Sequence, residues 1–445
     1  MKCFTPLLHR WRTELAIVMV VAVCAEPAPV LFAAIIGTNE PAQPVTLERI
    51  GGLSFWKRAR WKRYLRRSEK QMQADKNYIR AELVQHGITE ATNAPSARVF
   101  RGIPLRRAAD WYSSPQARHI ADVVVSFQTP AGGWSKRLDM TSRVRSPGEL
   151  FTSDNNSRFL TRSDNDMPED THWSYVGTFD NNATTTQLRY LAKVITALPA
   201  DQSEKYRTAF LHGLDYIFAS QYPNGGWPQV WPLQGGYHDA ITYNDGAMAH
   251  ILELLQTVAD GQNEFAFVPK KERRHATESV KHGIQCVLDT QIIANGRRTV
   301  WCQQHDALTL QPTAARNYEM PCEASAESAE IMTFLMNQPH PSKQIVVAID
   351  SAAAWFEKTR IMGFAFRFNG PAGRQLVAEP GYGPIWARYY QIGTDRPIFG
   401  DRDKTIHDRV DEISAERRRG YAWYGNSAEA ALEQYKAWRK EHSEK

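Results

Sequence analysis

The sequence predicts a mostly α fold, an (α/α) toroid or barrel of repeated helix pairs with irregular loops and short strands. Amphipathic helical segments recur, few segments alternate like strands, and a Gln…Gly-Gly-Trp motif follows successive helices. The motif spans Gln128–Trp134 and Gln221–Trp227, with a weaker copy running from Gln291 to Trp301. Repeated helix pairs bury faces that no pair buries alone, so they stack or close into a ring. Glycine after a helix lets the chain turn through positive φ.

The N-terminus resembles a secretory signal. Lys2, Arg10 and Arg12 precede an apolar run from Leu15 to Cys24. We therefore interpret residues 1–25 as a signal peptide and expect an exported protein, periplasmic or extracellular. The run is shorter than the roughly 20 apolar residues that span a bilayer. Since apolar residues continue further along the chain, an uncleaved anchor stays open as the alternative.

The rest of the chain is divided by composition. Residues 26–48 are interpreted as a Pro/Ala-rich linker, and 49–440 as one toroid domain with a polar insertion over 141–176. Hydrophobic periodicity predicts the helical segments of the domain. They are expected at Ser54–Gln85, Ala117–Phe127, Leu188–Leu198, Phe210–Phe218, Met248–Leu255 and Ile331–Leu335, with a polar helix beginning at Ser427. Short strands are expected at Val300–Cys302 and Ala365–Phe368.

Charge and cysteine content limit the possible partners only weakly. The chain has 54 Lys+Arg against 48 Asp+Glu, a net of +6, and the basic run Lys57–Arg67 is interpreted as solvated surface. We expect a monomer with no nucleic-acid partner and no membrane contact in the mature form. Cys286, Cys302 and Cys322 leave a disulfide plus a free thiol open, and no CxxC spacing indicates zinc.

Two predicted inner helices open in the same way. Asp180 and Asn181 begin one opening, and Asn244 and Asp245 begin the other. A helix cap is the simple interpretation of each. Because inner helices of a ring begin on one face, we expect Asp180 and Asp245 to lie close together. Such carboxylates could hold a hard cation, for which oxygen ligands suit Ca²⁺.

Several cations are predicted to share this face. Arg316 precedes the third inner helix at the position equivalent to the two aspartate turns, although it could simply pair with Glu319 or Glu323. Arginine binds carboxylates through two parallel hydrogen bonds, which indicates an anionic ligand. Further cations follow a Gly-Gly-Trp motif or lie in Gly/Pro/aromatic loops: Lys136, Arg388 and Arg402.

These residues resemble the pectate lyases of polysaccharide lyase family ten over about residues 75–430. The matching segments are Gln128–Trp134 with Lys136, Thr178–Thr186, Gln221–Trp227, Thr242–Met248, Arg316–Pro321, Pro384–Tyr390 and Gly400–Asp403. The resemblance implies a toroid, Ca²⁺ dependence and eliminative cleavage of polygalacturonate, an anionic polysaccharide. It also implies roles for individual residues: Asp180 and Asp245 bind the metal, Lys136, Asn181, Arg388 and Arg402 bind substrate, and Arg316 is the catalytic base.

The chain departs from the family pattern at two places. Gly246 stands where a polar residue is usual, and Cys322 where a small hydroxyl residue is common. Ser163–Asp166, inside the insertion, is interpreted as a solvated loop. Since arginine is almost wholly protonated at neutral pH, we expect nearby cations and desolvation to lower the pKa of Arg316. An alkaline activity optimum follows from that expectation.

Two alternatives stay open at the level of sequence. An α/α-barrel glycoside hydrolase would use Asp180 and Asp245 as acid and base, and it would have no need of the arginines. A non-catalytic uronan-binding protein would keep the cleft without turnover. The motif tryptophans are expected either to pack in the scaffold or to line the cleft.

Overall fold

The computed structural model describes Met1 and residues 34–97, 103–153, 163–168 and 170–442. Beyond Met1, the predicted signal peptide lies outside the described residues. Helices α1–α10 span Phe55–Gln85, Pro115–Ser126, Thr185–Ala197, Ala200–Ser220, Ala247–Asp260, Lys270–Thr290, Ser325–Met336, Lys343–Thr359, Ala415–Gly420 and Ser427–His442. No helix in the described part of the chain is long and apolar enough to cross a membrane.

Strands are short and lie between or after the helices. Strands β1–β14 span Ile35–Thr38, Ile241–Thr242, Ile293–Ala294, Arg297–Arg298, Gln304–His305, Glu323–Ala324, Phe364–Phe368, Arg374–Ala378, Trp386–Ala387, Tyr389–Gln391, Arg396–Pro397, Phe399–Gly400, Thr405–His407 and Tyr424–Gly425. They form small antiparallel sheets, with the orders β1-β13-β12 and β11-β10-β6 and four two-stranded pairs. The strand predicted at Val300–Cys302 is wrong, because these residues form a buried loop between β4 and β5.

The helices pack as inner and outer members of a toroid, as predicted. The inner helices α3, α5 and α7 contact one another in turn, and the outer helices α4, α6 and α8 pack behind them. The final helix, α10, packs against α7 and α8. Each inner helix buries one apolar stripe, shown by Leu188 and Leu191 on α3 and Ile251 and Leu255 on α5. Burying each such side chain contributes about 1.5–3 kcal/mol, so packing stabilises the ring.

The motif tryptophans belong to the scaffold. The indole Nε1–H of Trp134 donates to the Val124 carbonyl at the end of α2, 2.7 Å away. Trp227 donates in the same way to Ile217 on α4, and Trp301 to Val287 on α6. All three indoles are buried, so they pack and do not line the cleft.

The motif glutamines join neighbouring outer helices. Gln128 donates to the Ala209 carbonyl on α4, Gln221 to Ser279 on α6, and Gln291 to Ala348 on α8. A fourth indole, Trp386, donates to Phe356 on α8. Sequence analysis missed this copy because the β7–β8 hairpin separates Trp386 from its helix, and no Gly-Gly pair directly precedes the tryptophan.

The linker predicted over 26–48 is wrong for residues 34–48. Strand β1 pairs antiparallel with β13, and Asn39 is buried beyond its end. The backbone N–H of Val45 donates to Asp239, 3.0 Å away. Pairing with β13 and the contact with Asp239 hold these residues to distant parts of the chain, which local composition does not reveal.

The three cysteines within the described residues are free thiols. Cys286, Cys302 and Cys322 are buried. The Sγ atoms of Cys302 and Cys322 lie 4.0 Å apart, so the pairing left open by the sequence is absent here.

Candidate active site

One cleft gathers every predicted site residue. It has a volume of about 450 Å³ and opens where the inner helices begin. All seven predicted side chains line it: Lys136, Asp180, Asn181, Asp245, Arg316, Arg388 and Arg402. The repeat therefore places chemically matched residues from distant parts of the chain on one surface.

Two tight turns present the aspartates. Residues 180–182 and 244–246 form single 3₁₀ turns just before α3 and α5, and the two turns contact each other. Asn181 and Asp245 have φ angles of 53° and 52°. Asn and Asp tolerate this left-handed conformation better than most residues. These turns thereby place both carboxylates outside the helices and in the cleft.

Asp180 is buried and paired with Lys136. The Lys136 Nζ lies 2.5 Å from Asp180 Oδ2 and 3.3 Å from the centre of the Tyr175 ring. Burial alone would raise the pKa of Asp180, but the Lys136 ammonium outweighs it and the pKa is lowered. Asp180 is therefore a fixed negative charge in the cleft.

Asp245 lies in a more negative environment. Desolvation in the cleft, together with the charge of Asp180, raises the pKa of Asp245 to about 6. The adjacent Gly246 has φ 72°, and a Cβ there would lie 2.3 Å from Glu330 Oε2. The departure from the family pattern at Gly246 thus makes room for a carboxylate from α7. Burial and the nearby Glu327 and Asp245 raise the pKa of Glu330 to about 7.

Arg388 is anchored beneath Asp245. Its Nη2 donates to Glu327 Oε1, 2.6 Å away, and to Asn244 Oδ1, 3.1 Å away. Asp245 Oδ1 lies 3.8 Å from the same nitrogen. The guanidinium also stacks over Tyr421, 4.8 Å from the ring centre. These contacts fix the plane of the guanidinium at the cleft floor.

Arg316 lies in a turn in which the N–H of Glu319 donates to the Arg316 carbonyl, and its side chain enters the cleft. The prediction that Arg316 is equivalent in position to the two aspartate turns is wrong, because it lies nine residues before α7 begins. Its Nε and Nη2 donate to the two oxygens of Glu319, so the simple pairing considered from sequence is present. Desolvation would lower the pKa of Arg316, but the Glu319 charge raises it well above its usual value. The expected lowering of the Arg316 pKa is therefore wrong.

Arg402 is shared between two carboxylates. Its Nε donates to Glu416 at 2.9 Å, and its Nη1 lies 4.0 Å from Asp164. Asp164 is buried and Asp166 lines the cleft, so the interpretation of Ser163–Asp166 as a solvated loop is wrong. This described part of the insertion forms one wall of the site.

Two asparagines that the sequence analysis missed connect the Arg316 turn with the Arg402 loop and the insertion. Asn39 donates through Nδ2 to the carbonyls of Arg316 and Asn317, both at 3.0 Å. Asn317 donates to the Arg402 carbonyl at 2.6 Å and accepts from Asn165 N–H at 2.9 Å. The N-terminal segment, the Arg316 turn, the Arg402 loop and the insertion therefore share one hydrogen-bond network.

Replacing Asn39 should impair the Arg316 turn. We expect Asn39→Ala to lower kcat by about tenfold, because small displacements of a reacting group are costly. The loss of buried hydrogen bonds should cost about 1–3 kcal/mol of stability. The checks are steady-state kinetics well below the unfolding temperature, with exposed Thr38→Ala as the matched control. Asn39→Asp cannot donate hydrogen bonds to the two carbonyls as a carboxylate, so its kcat should fall equally. Full activity in Asn39→Asp would contradict the role of Asn39 in positioning the Arg316 turn.

The cleft fits a cation only in part. Among the described residues, no group of three or more His, Cys, Asp or Glu side chains is placed to hold a metal. Asp180 and Asp245 provide oxygen ligands. Desolvation and the charge of Asp180 raise the pKa of Asp245, and a bound cation would offset both effects. The donor chemistry therefore fits a hard cation whose remaining ligands come from elsewhere.

The fold and the cleft define a helical toroid with a cation-lined cleft. Solved structures of polysaccharide lyases are similar to it. A family 10 polysaccharide lyase from Cellvibrio cellulosa is 31% identical, with a TM-score of 0.62 over 77% of this chain and 99% of that chain. A mutant of the family 10 lyase from that organism, in complex with trigalacturonic acid, matches with the same values. No curated protein matches the chain.

The family model of the pectic acid lyases matches residues 128–432. The chain belongs to this family and is a lyase. Asn39 and α1 lie outside the matched residues.

Proposed function

We propose that this protein is a Ca²⁺-dependent pectate lyase that cleaves polygalacturonate by β-elimination. The main support is that the four cations and two aspartates predicted from the sequence line one cleft, in a chain of the pectic acid lyase family. A related lyase structure holds trigalacturonic acid, a short form of this polymer. Export to the periplasm or the extracellular space, and action as a monomer, are further parts of the proposal.

Substrate binding rests on the cleft cations. We assign Arg388 and Arg402 to uronate carboxylates, with Lys136 and Asn181 contacting neighbouring sugar groups. Arg388 is suited to this because Glu327 and Asn244 fix its orientation before substrate arrives. Preorganised charge is more effective than charge that must reorganise. A hydrolase would not need this cation set, which favours elimination over hydrolysis.

Arg316 is assigned as the base that removes the C5 proton. As Arg316 takes that proton, the C5–H electrons form the C4=C5 double bond and the C4–O bond breaks. The leaving oxygen takes a proton from water and becomes the hydroxyl of a new chain end. Asp180 and Asp245 would hold Ca²⁺, which supplies positive charge that neutralises the uronate carboxylate and acidifies C5–H. The Glu319 pair keeps Arg316 protonated in the free enzyme. Base action therefore requires that this pair weaken in the substrate complex.

Calcium removal should abolish turnover. We expect a chelator to stop the rise in ultraviolet absorbance of unsaturated product, and added Ca²⁺ to restore it, because the charge of the uronate carboxylate is otherwise unneutralised. The absorbance is followed on polygalacturonate with and without chelator. Full activity after exhaustive chelation would exclude calcium from the mechanism.

The Arg316–Glu319 pair should control the pH profile. Because the Glu319 charge raises the pKa of Arg316, activity should increase with pH on the alkaline side. In Glu319→Gln the negative charge is gone, so the pKa of Arg316 falls and the alkaline limb moves to lower pH. The measurement is kcat/KM against pH for both proteins. An unchanged limb would show that a group other than Arg316 titrates.

A further inference from the structure

The exposed side of α1 is an unexplained feature of the chain. Residues 57–70 contain eight Lys or Arg and one Glu, a net of +7, whereas the whole chain carries +6. The basic excess of the protein is therefore concentrated on one helix. Four of these cations, Lys62, Arg63, Arg66 and Lys70, are exposed and have no carboxylate within ion-pair distance in the described part of the chain.

These four cations form a row on the side of α1 that faces away from the protein. Lys62, Arg66 and Lys70 are spaced four residues apart, about 6 Å for each step along a helix. The opposite side of α1 buries Trp61 and Tyr64 against the body. The row therefore extends for about 12 Å. A row of cations that no carboxylate neutralises attracts a linear polyanion more strongly than isolated cations do.

The position of α1 connects this row with the cleft. Tyr64 donates to the Ser220 carbonyl at the end of α4, and Ser68 accepts from Leu233 N–H at 2.8 Å. The loop that includes Leu233 also carries Gln229 and Tyr237, which line the cleft. The helix thus lies one loop away from the active site, at the same end of the toroid.

We propose that α1 is an accessory binding surface for the polyuronate chain, outside the catalytic cleft. The proposal rests on the proposed function for the identity of the polymer. Exposed Trp56, at the start of α1, offers an apolar face beside the row for a sugar ring. An anionic membrane fits less well, because Phe55, Trp56 and Val84, the most exposed apolar side chains of α1, lie at its ends and not along the row of cations.

The test is a charge-removal variant of the whole chain, with Lys62→Gln, Arg63→Gln, Arg66→Gln and Lys70→Gln. The matched control removes four exposed cations from α6: Lys270→Gln, Lys271→Gln, Arg274→Gln and Lys281→Gln. Retardation in gels containing polygalacturonate, and kinetics on the polymer and on trigalacturonate, are measured at low and high salt. Binding to phosphatidylglycerol vesicles is measured for the same proteins.

We expect the α1 variant to lose retardation and to raise KM for the polymer by about fivefold at low salt. Its kcat/KM on trigalacturonate should stay unchanged, and the α6 variant should behave like the wild type on both substrates. Equal behaviour of the two variants would overturn the proposal, as would loss of binding only to phosphatidylglycerol vesicles. Retardation measures binding and does not require turnover. A wild-type protein that is retarded but inactive would therefore contradict the proposed function and leave the binding surface supported.

Discussion

Arg316→Ala is expected to reduce kcat on polygalacturonate by about 10²–10⁴-fold, the range typical for loss of a general base. Its guanidinium reaches the cleft from a turn that Asn39 and Glu319 both hold. KM should change less than kcat, because Arg388 and Arg402 still bind the carboxylates. The rate is measured as ultraviolet absorbance of the unsaturated product under saturating substrate.

Removal of Arg316 also leaves Glu319 buried without its main partner, so the alanine variant could lose activity by unfolding. Arg316→Lys separates the two effects, since an ammonium still pairs with Glu319 but lacks the planar guanidinium. We expect Arg316→Lys to unfold near the wild-type temperature and to remain nearly inactive. Exposed Arg297→Ala on β4 is the control for loss of an arginine. Near-native turnover in either Arg316 variant would refute the base assignment.

Arg388→Ala is expected to have the largest effect on stability. Glu327 is only 2% exposed and accepts from Arg388 at 2.6 Å. Removing one partner of a buried ion pair leaves an uncompensated charge and costs about 3–5 kcal/mol. The free energy of unfolding is measured by denaturant titration, and KM for the polymer is measured in parallel.

A double variant distinguishes the structural from the substrate-binding role of Arg388. In Arg388→Met with Glu327→Leu both charges of this buried pair are gone, so stability should return close to the wild type. Activity should stay low, because the substrate carboxylate has lost its arginine. If the double variant recovered activity together with stability, Arg388 would be a structural residue only.

The sequence predicted the site best where the repeat dictates position. Asp180 and Asp245 come together because each inner helix opens on the same face with a residue type that tolerates positive φ. The helix openings recur in the sequence, so hydrophobic periodicity and turn residues detect them. Gly246 departs from the family pattern because Glu330 occupies the space that a side chain there would need.

The missed residues are positioned by contacts between distant parts of the chain. Asn39 reaches Arg316 only because β1 pairs with β13, more than 360 residues further along. Asp164 appeared to belong to a solvated loop, since nothing local shows that Arg402 lies beside it. The pKa of Arg316 was predicted in the wrong direction because both carboxylate oxygens of Glu319 accept from one edge of the guanidinium. Such pairings depend on tertiary geometry that composition and periodicity do not encode.

The product of cleavage tests the central claim most directly. The purified chain is incubated with polygalacturonate and Ca²⁺, and ultraviolet absorbance and reducing ends are followed together. Elimination predicts that both signals rise in equal molar amounts, because each bond broken yields one double bond and one reducing end. Reducing ends without absorbance would indicate hydrolysis, and binding without either signal would indicate a non-catalytic protein; each result would contradict the account.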